Sequence, residues 1–390
     1  LLTLVVLLGA CAAGTSGPPA GETGSATSPA PTGSGPTAAP GSTAPTGFEL
    51  QSIGVTHLFI INLENESFDA TFSPTSPAHY LNNTLVPQGK LLTQYYGIGH
   101  NSLDNYIAEI SGQAPNPNTQ ADCPRFVEFV ATGTAELGQA VGQGCVYPAT
   151  VPTIAGQLDA SGRRWKGYME DMGNDPNAPK VCRHPDIGQA DSTLVARPGD
   201  QYATRHDPFV YFHAIIDGPT CAANVVPLDA LDTDLAAEQT TPSYAFITPS
   251  LCHDGHDEPC VDGEPGGLTS ADQFLSTWIP KIMGSPAYRA GGAIVITFDE
   301  AEASGDHADS SACCHEPSGP NVDQPGGNGP GGGRIGALVL STKVRPGTST
   351  VPYNHYSLLC SAEELFGLDR LGLAADPGLT CFGPDVFDST

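Results

Sequence analysis

Residues 55–68 read VTHLFIINLENESF. The apolar run Leu58-Phe59-Ile60-Ile61 stops abruptly in Asn62-Leu63-Glu64-Asn65-Glu66. An unbroken run of this kind predicts a parallel strand covered on both faces. In open α/β sheets, ligands bind in the crevice outside the carboxyl ends of such strands, which makes Glu64 and Asn65 candidate site residues. A second stretch of the same format, GGAIVITFDE at 291–300, ends in Asp299 and Glu300. Two buried strands that deliver these groups toward one rim predict a metal-site geometry.

Around these strands the sequence predicts further alternation of strand and helix. Short strands are expected at 164–169, 243–247 and 335–340, and helices at 151–158, 271–283 and 355–366. SLDNYIAEISG places Leu103, Tyr106, Ile107 and Ile110 at helical spacing, ended by Gly112. Ser102 then stands at the amino end of a helix. It is either a cap that satisfies an orphan N–H or a nucleophile where backbone N–H groups and the helix dipole favour a phosphate. Residues 173–208 are polar and irregular and read as an insertion over the site. The stretch 301–334, with its run GGNGPGGGR, reads as a flexible surface loop. The pattern predicts one layered α/β domain.

The chain has 390 residues, enough for one large core. Its formal charge of -27, from 42 acids against 15 Lys and Arg, excludes a general nucleic-acid surface. Residues 1–10, LLTLVVLLGA, are apolar but too short to span a bilayer. They read as an export segment. Leu8-Gly9-Ala10-Cys11 resembles a bacterial lipobox, whose Cys becomes the lipid-modified first residue. Cleavage of an ordinary export signal near Ala10 to Ala13 is the alternative. Residues 12–47 are Gly, Ser, Thr, Pro and Ala with one acid, Glu22, which predicts a disordered tether. The expected organisation is thus 1–11 export segment, 12–47 tether and 48–390 folded domain. The protein would sit outside the cytoplasm, lipid-anchored through Cys11 or secreted. Without Cys11, ten cysteines remain. An even count in an exported chain, with no CxxC pair, favours up to five disulfides over a thiolate metal site. Proximity suggests Cys123–Cys145 and Cys360–Cys381.

Candidate ligands and acid–base groups collect at element ends: Glu64, Asn65, Ser102, Asn105, His253, Asp254, His256, Asp257, Asp299, Glu300 and His355. Carboxylate and amide oxygens suit a hard divalent ion, and imidazole admits zinc or iron. A metal beside a serine hydroxyl can stabilise its alkoxide and polarise a phosphoryl oxygen. HDGHD at 253–257 is either a solvated polar loop or, since it follows a buried strand, part of the site.

Five blocks carry a family resemblance. FIINLENESFD is similar to the FIVLENRSFD-type opening of a bacterial phosphoesterase family that includes acid phosphatases and phospholipases C. GHNSLDNYIAEISG resembles its HPSLPNYLALFSG block, and TPSLCHDGHD its IPNxxHDMHD block. ITFDE resembles TWDE, and NHYSLLCSAEELFGL resembles NHYSLLRTIEDLFGL. The blocks keep family order over 57–368, and they look most like the secreted actinobacterial phosphatidylinositol-3-phosphatase-like acid phosphatases. The resemblance implies an alkaline-phosphatase-like α/β fold: a central, mostly parallel sheet flanked by helices, with long disulfide-bearing loop insertions. It implies metal-assisted phosphoryl transfer with one or two divalent ions (calcium, magnesium, zinc or iron). By motif, Glu64, Asn65, Ser102, Asp254, Asp299 and Glu300 would hold metal, and Ser102 would be the nucleophile. His253, Asp254 and His256 would line the opposite wall, binding a second ion or acting as acid to the leaving oxygen. Asn105 and His355 would touch phosphate, or His355 would cap the last helix. This sequence departs from the pattern at Glu66 (Arg in the family), Asp104 (Pro) and Gly255 (Met).

The expected partner is a small-molecule or lipid phosphate ester, bound by a monomer that meets the membrane only through its anchor. A phospholipase C-type diesterase and a non-catalytic surface binding lipoprotein remain as rival readings.

Overall fold

The apolar run is a strand, β1 (His57–Leu63), buried along its whole length. The computed structural model describes residues 48–314, 317–327 and 329–388. The expected export segment, Cys11 and the tether lie outside these residues. Seven more strands join β1: β2 (Lys90–Leu92), β3 (Trp165–Met169), β4 (Val225–Pro227), β5 (Tyr244–Thr248), β6 (Gly292–Phe298), β7 (Ala337–Ser341) and β8 (Gly347–Ser349). The sheet order is β8-β2-β7-β6-β1-β5-β3-β4. Only β7 runs against its neighbours, β2 and β6; the other pairs are parallel. This is the mostly parallel α/β sheet expected from the sequence.

Register positions the site. Leu63 pairs with Phe298 across β1 and β6, so the next residues, Glu64 and Asp299, leave the sheet side by side. Phe59 and Ile61 have no solvent exposure and Leu58 and Ile60 have 1%. At about 1.5–3 kcal/mol for each fully buried large apolar side chain, slipping β1 by one residue would be prohibitive, and its carboxyl end is held accordingly.

Three helices matter for the site: α1 (Ser102–Ser111), α2 (Gly267–Gly284) and α3 (His355–Phe366). Helix α1 ends at Gly112 in the left-handed region, φ 65°, where a Cβ would strike the Leu371 carbonyl. Helix α3 starts with a capping box between Asn354 and Ser357 and packs against α1. The expected helix at 151–158 forms later, at Ile154–Ala160, because Thr153 caps it by accepting from Gly156 N.

One expectation is corrected. The glycine run is no surface loop at its end: Gly331, Gly332 and Gly333 are buried. Gly332 N donates to Gly97 O and Ala301 N to Gly332 O. A Cβ at Gly332 would stand 2.5 Å from Gly99 O, so only glycine lets this segment pack over the approach to α1.

The described residues contain five disulfides: Cys123–Cys145, Cys182–Cys221, Cys252–Cys260, Cys313–Cys314 and Cys360–Cys381. Both pairs suggested by proximity are among them. No helix of the described residues is long and apolar enough to cross a membrane.

Glu363 of α3 gives the fold a pH dependence. Its Oε1 accepts from Leu371 N at 3.0 Å, while Oε2 has no partner. Burial pushes its carboxyl up to about 9. The folded chain therefore keeps a proton that the unfolded chain loses in the ordinary carboxylate range. Its contribution is full below that range and is lost as pH rises toward about 9, with a slope of up to about 1.4 kcal/mol per pH unit. Glu363→Gln cannot ionise, so its thermal midpoint should fall less than the wild type's from about pH 5 to about pH 9. Parallel midpoint curves for the two proteins would refute this.

Candidate active site

Five buried side chains, those of Glu64, Ser102, His206, Asp254 and Asp299, converge beyond the ends of β1 and β6. Ser102 Oγ donates to Glu64 Oε2 at 2.8 Å, so the hydroxyl is turned to the carboxylate rather than spent as a helix cap. His206, in the turn 204–206, sets Nε2 3.0 Å from Glu64 Oε1 and Nδ1 3.7 Å from Asp254 Oδ2. Glu64, His206 and Asp254 offer ligand atoms that all lie within 4.8 Å of one another. Asp299 stands beside Glu64, because Leu63 and Phe298 pair across β1 and β6 just before them. The backbone helps: Asn65, at φ 56°, donates its N–H to Asp299 Oδ1 at 3.0 Å and its side-chain amide to Glu64 Oε2.

The electrostatics of this group are lopsided. Burial, then the charges of Asp299 and Asp254, hold the Glu64 carboxyl well above its usual range. Burial does the same to Asp254 and raises Asp299. Burial and the neighbouring Arg205 push His206 well down, leaving a neutral imidazole. Glu64 Oε1, Asp254 Oδ2, Asp299 Oδ2 and both His206 nitrogens have no hydrogen-bond partner. Buried polar atoms are normally satisfied, and three carboxylates in one dry site repel one another. Oxygen donors gathered with one neutral imidazole fit a divalent cation.

Other expected site residues lie elsewhere. Asn105 is fully buried and spends its amide on the preceding loop: Oδ1 accepts from Ile98 N and Gly99 N, and Nδ2 donates to Gly99 O. It shapes the turn into α1 and is not placed to touch phosphate. His355 is also fully buried, with Nε2 2.6 Å from Asp299 O and Nδ1 2.8 Å from Glu109 Oε1. It is neither a phosphate contact nor the cap of α3, a role filled by Asn354. Glu300 accepts from Asn101 N with both oxygens and meets His100 Nδ1 at 2.6 Å, so its carboxylate ties down the approach to Ser102. His253 turns its ring to Glu170 at 2.9 Å and Glu264 at 3.3 Å. Those contacts, led by the hydrogen bond to Glu170, raise it to about 9. His256 is exposed beside Asp257, whose hydrogen bond raises its pKa.

His206 and Arg205 were missed because 173–208 reads as a polar insertion. The available signal was a basic pair, Arg205-His206, just before the buried run Phe209-Val210-Tyr211-Phe212. Asp104, where the family has Pro, is buried with both carboxylate oxygens unpartnered, and burial holds it well above its usual range.

Fold and site together define an α/β protein whose parallel strands end in a buried cluster of carboxylates and one histidine, beside a serine at a helix amino terminus. The chain belongs to the phosphoesterase family, whose profile matches residues 75–369. It is similar to a phosphate-repressible acid phosphatase of Penicillium chrysogenum, 23% identical over 80% of this chain and 60% of that one. It is also similar to a phosphatidylinositol-3-phosphatase of Mycobacterium tuberculosis, 22% identical over 82% of this chain and 80% of that one. Among solved structures it resembles the lipoteichoic acid synthase LtaP of Listeria monocytogenes, with a TM-score of 0.46, 13% identity, and coverage of 83% of this chain and 79% of that one. The chain spans between 48% and 60% of the length of the fungal acid phosphatases it matches.

Proposed function

We propose that the protein is an exported, metal-dependent phosphomonoesterase that works through a phosphoserine at Ser102. The observation that carries this reading is the Ser102 hydroxyl, 2.8 Å from Glu64, inside a cluster whose unpartnered ligand atoms suit a cation. Glu64, Asp254, Asp299 and His206 would hold the ion. When bound, it supplies Lewis acidity that lowers the cost of negative charge on Ser102 Oγ and on the phosphoryl oxygens. Ser102 Oγ forms the new bond to phosphorus as the bond to the leaving oxygen breaks, and its proton departs along the hydrogen bond to Glu64 Oε2. His256, protonated with the help of Asp257 and Asp254, gives its proton to the leaving oxygen at the mouth. Water then hydrolyses the phosphoserine, so two easier steps replace one hard one.

Arg205 is mostly buried against Glu64, Asp122 and Asp254 and is the natural anchor for a phosphate oxygen. Likeness to the mycobacterial enzyme supports phosphoinositides among the substrates. Five disulfides suit an oxidising compartment, which supports export; the lipobox-like Leu8-Gly9-Ala10-Cys11 is what favours a lipid anchor at Cys11.

The test is phosphate release from p-nitrophenyl phosphate by the whole protein, before and after chelation and again with metal restored. Release that chelation abolishes and metal rescues is expected. Release indifferent to chelation would remove the metal from the reading, and no release at all from a monoester would remove the reaction.

A further inference from the structure

Beneath the cluster runs a chain of buried polar groups that none of these roles uses. Asn62, two residues before Glu64 on β1, donates through Nδ2 to Glu109 Oε2 at 3.0 Å. Glu109, on the last turn of α1, presents Oε1 2.8 Å from His355 Nδ1. His355 opens α3 and points Nε2 at the backbone oxygen of Asp299, 2.6 Å away. The Tyr95 hydroxyl stands 3.2 Å from His355 Nδ1. None of these four side chains belongs to a residue more than 1% exposed.

Two of the links rest on elements that lead into or carry a site residue, and the third grips one. β1 leads into Glu64, α1 starts at Ser102, and His355 at the far end of the chain holds the peptide oxygen of Asp299, which follows β6. We infer that Asn62, Glu109 and His355 form a positioning relay that sets Asp299 against Glu64 and Ser102, and thereby sets the cation affinity of the centre. This rests on the metal-dependent reading above.

The hydrogen-bond chemistry allows little slack. A carbonyl oxygen only accepts, so the bond to Asp299 O keeps a hydrogen on His355 Nε2. Nδ1 then faces a carboxylate, with one proton available between them. Glu109 Oε2 is already taken by Asn62, so the carboxylate cannot rotate without stranding a buried donor. Asp299 Oδ1 accepts from both Asn65 N and Glu300 N, so a shift of the Asp299 peptide moves the groups on either side of it. Partners that orient a metal ligand typically govern affinity or activity by about tenfold to a hundredfold. A network that merely stabilised the core would lower the melting temperature and leave the affinity of the folded protein untouched.

The experiment is calorimetric titration of the chelated whole protein with Mn2+, alongside kcat and KM for p-nitrophenyl phosphate at saturating Mn2+. Glu109→Ala should weaken Mn2+ binding by about tenfold to a hundredfold and lower kcat, with KM within about twofold of wild type. Glu109→Gln should restore both to within about threefold, because its amide can accept from Asn62 and donate to a neutral His355 Nδ1. Should Glu109→Ala fail to fold, Asn62→Ala, which removes no charge, is read the same way and should weaken Mn2+ binding severalfold. Mn2+ affinity unchanged in the folded variant, with wild type binding normally, overturns the relay alone. A wild type that binds no Mn2+ overturns the relay and the metal-dependent reading together.

Discussion

Ser102→Ala is expected to cut phosphate release by about four orders of magnitude, the scale on which losing one member of a nucleophilic constellation is felt. The hydroxyl is the only group of this side chain that meets the cluster, through its 2.8 Å bond to Glu64 Oε2. Alanine suits a helix as well as serine does, and Glu64 Oε2 keeps its second donor, Asn65 Nδ2. The fold should therefore survive, with a melting temperature close to wild type. Two measurements check this: steady-state rates at saturating metal, and acid quenching of a reaction with radiolabelled monoester. Label should be trapped on the wild-type chain and absent from the variant. A variant still active within tenfold would assign the attack on phosphorus to water and leave Ser102 a bystander.

Asp299→Asn should weaken cation binding by more than about a hundredfold, so that metal concentrations saturating wild type leave it inactive. The same change should stabilise the chelated protein near neutral pH. Both effects come from one fact: Glu64, Asp254 and Asp299 are buried together, and burial raises the pKa of each. Without metal, the folded protein holds protons that the unfolded chain has released. Its stability is then full below the ordinary carboxylate range and falls as pH rises above it. Removing one of the three charges makes that fall shallower, while it deletes an oxygen that the cation needs. Opposite signs for affinity and stability separate this from a damaged fold. Equal Mn2+ affinity in the two proteins, or a less stable chelated variant, would remove Asp299 from the centre.

Much of this architecture is legible in residue pattern alone, for reasons visible at particular positions. Leu58 to Ile61 and Ala293 to Ile296 are apolar without alternation, which only a strand covered on both faces requires, and both are buried strands. The acids just beyond the strand ends, Glu64 and Asp299, must emerge at the sheet's carboxyl edge. Ser102 is placed by a helix whose stop, Gly112, is equally plain. The pattern fails where a side chain's direction is not set by its own element. Asn105 lies one helical turn from Ser102, yet its amide closes the loop at Ile98 and Gly99. His355 follows an extended pair and starts a helix, and is drawn inward to Glu109 and Asp299 O rather than outward to the rim. His253 and His256 share one pentapeptide but part ways, one held by Glu170 and Glu264 and the other left at the surface.

By itself, then, the sequence determined five adjacent strands of the sheet (β1, β3, β5, β6 and β7), the strand ends that carry Glu64 and Asp299, and the helix that begins at Ser102, because hydrophobic periodicity and turn residues act over a few neighbours. The tertiary structure alone decided that His206 completes the cluster, and that Asn62, Glu109 and His355 run beneath it. Those groups come from β1, α1, a turn in an irregular segment and α3. What joins them is the need of buried polar atoms for partners, and those partners are supplied only when distant parts of the chain pack together.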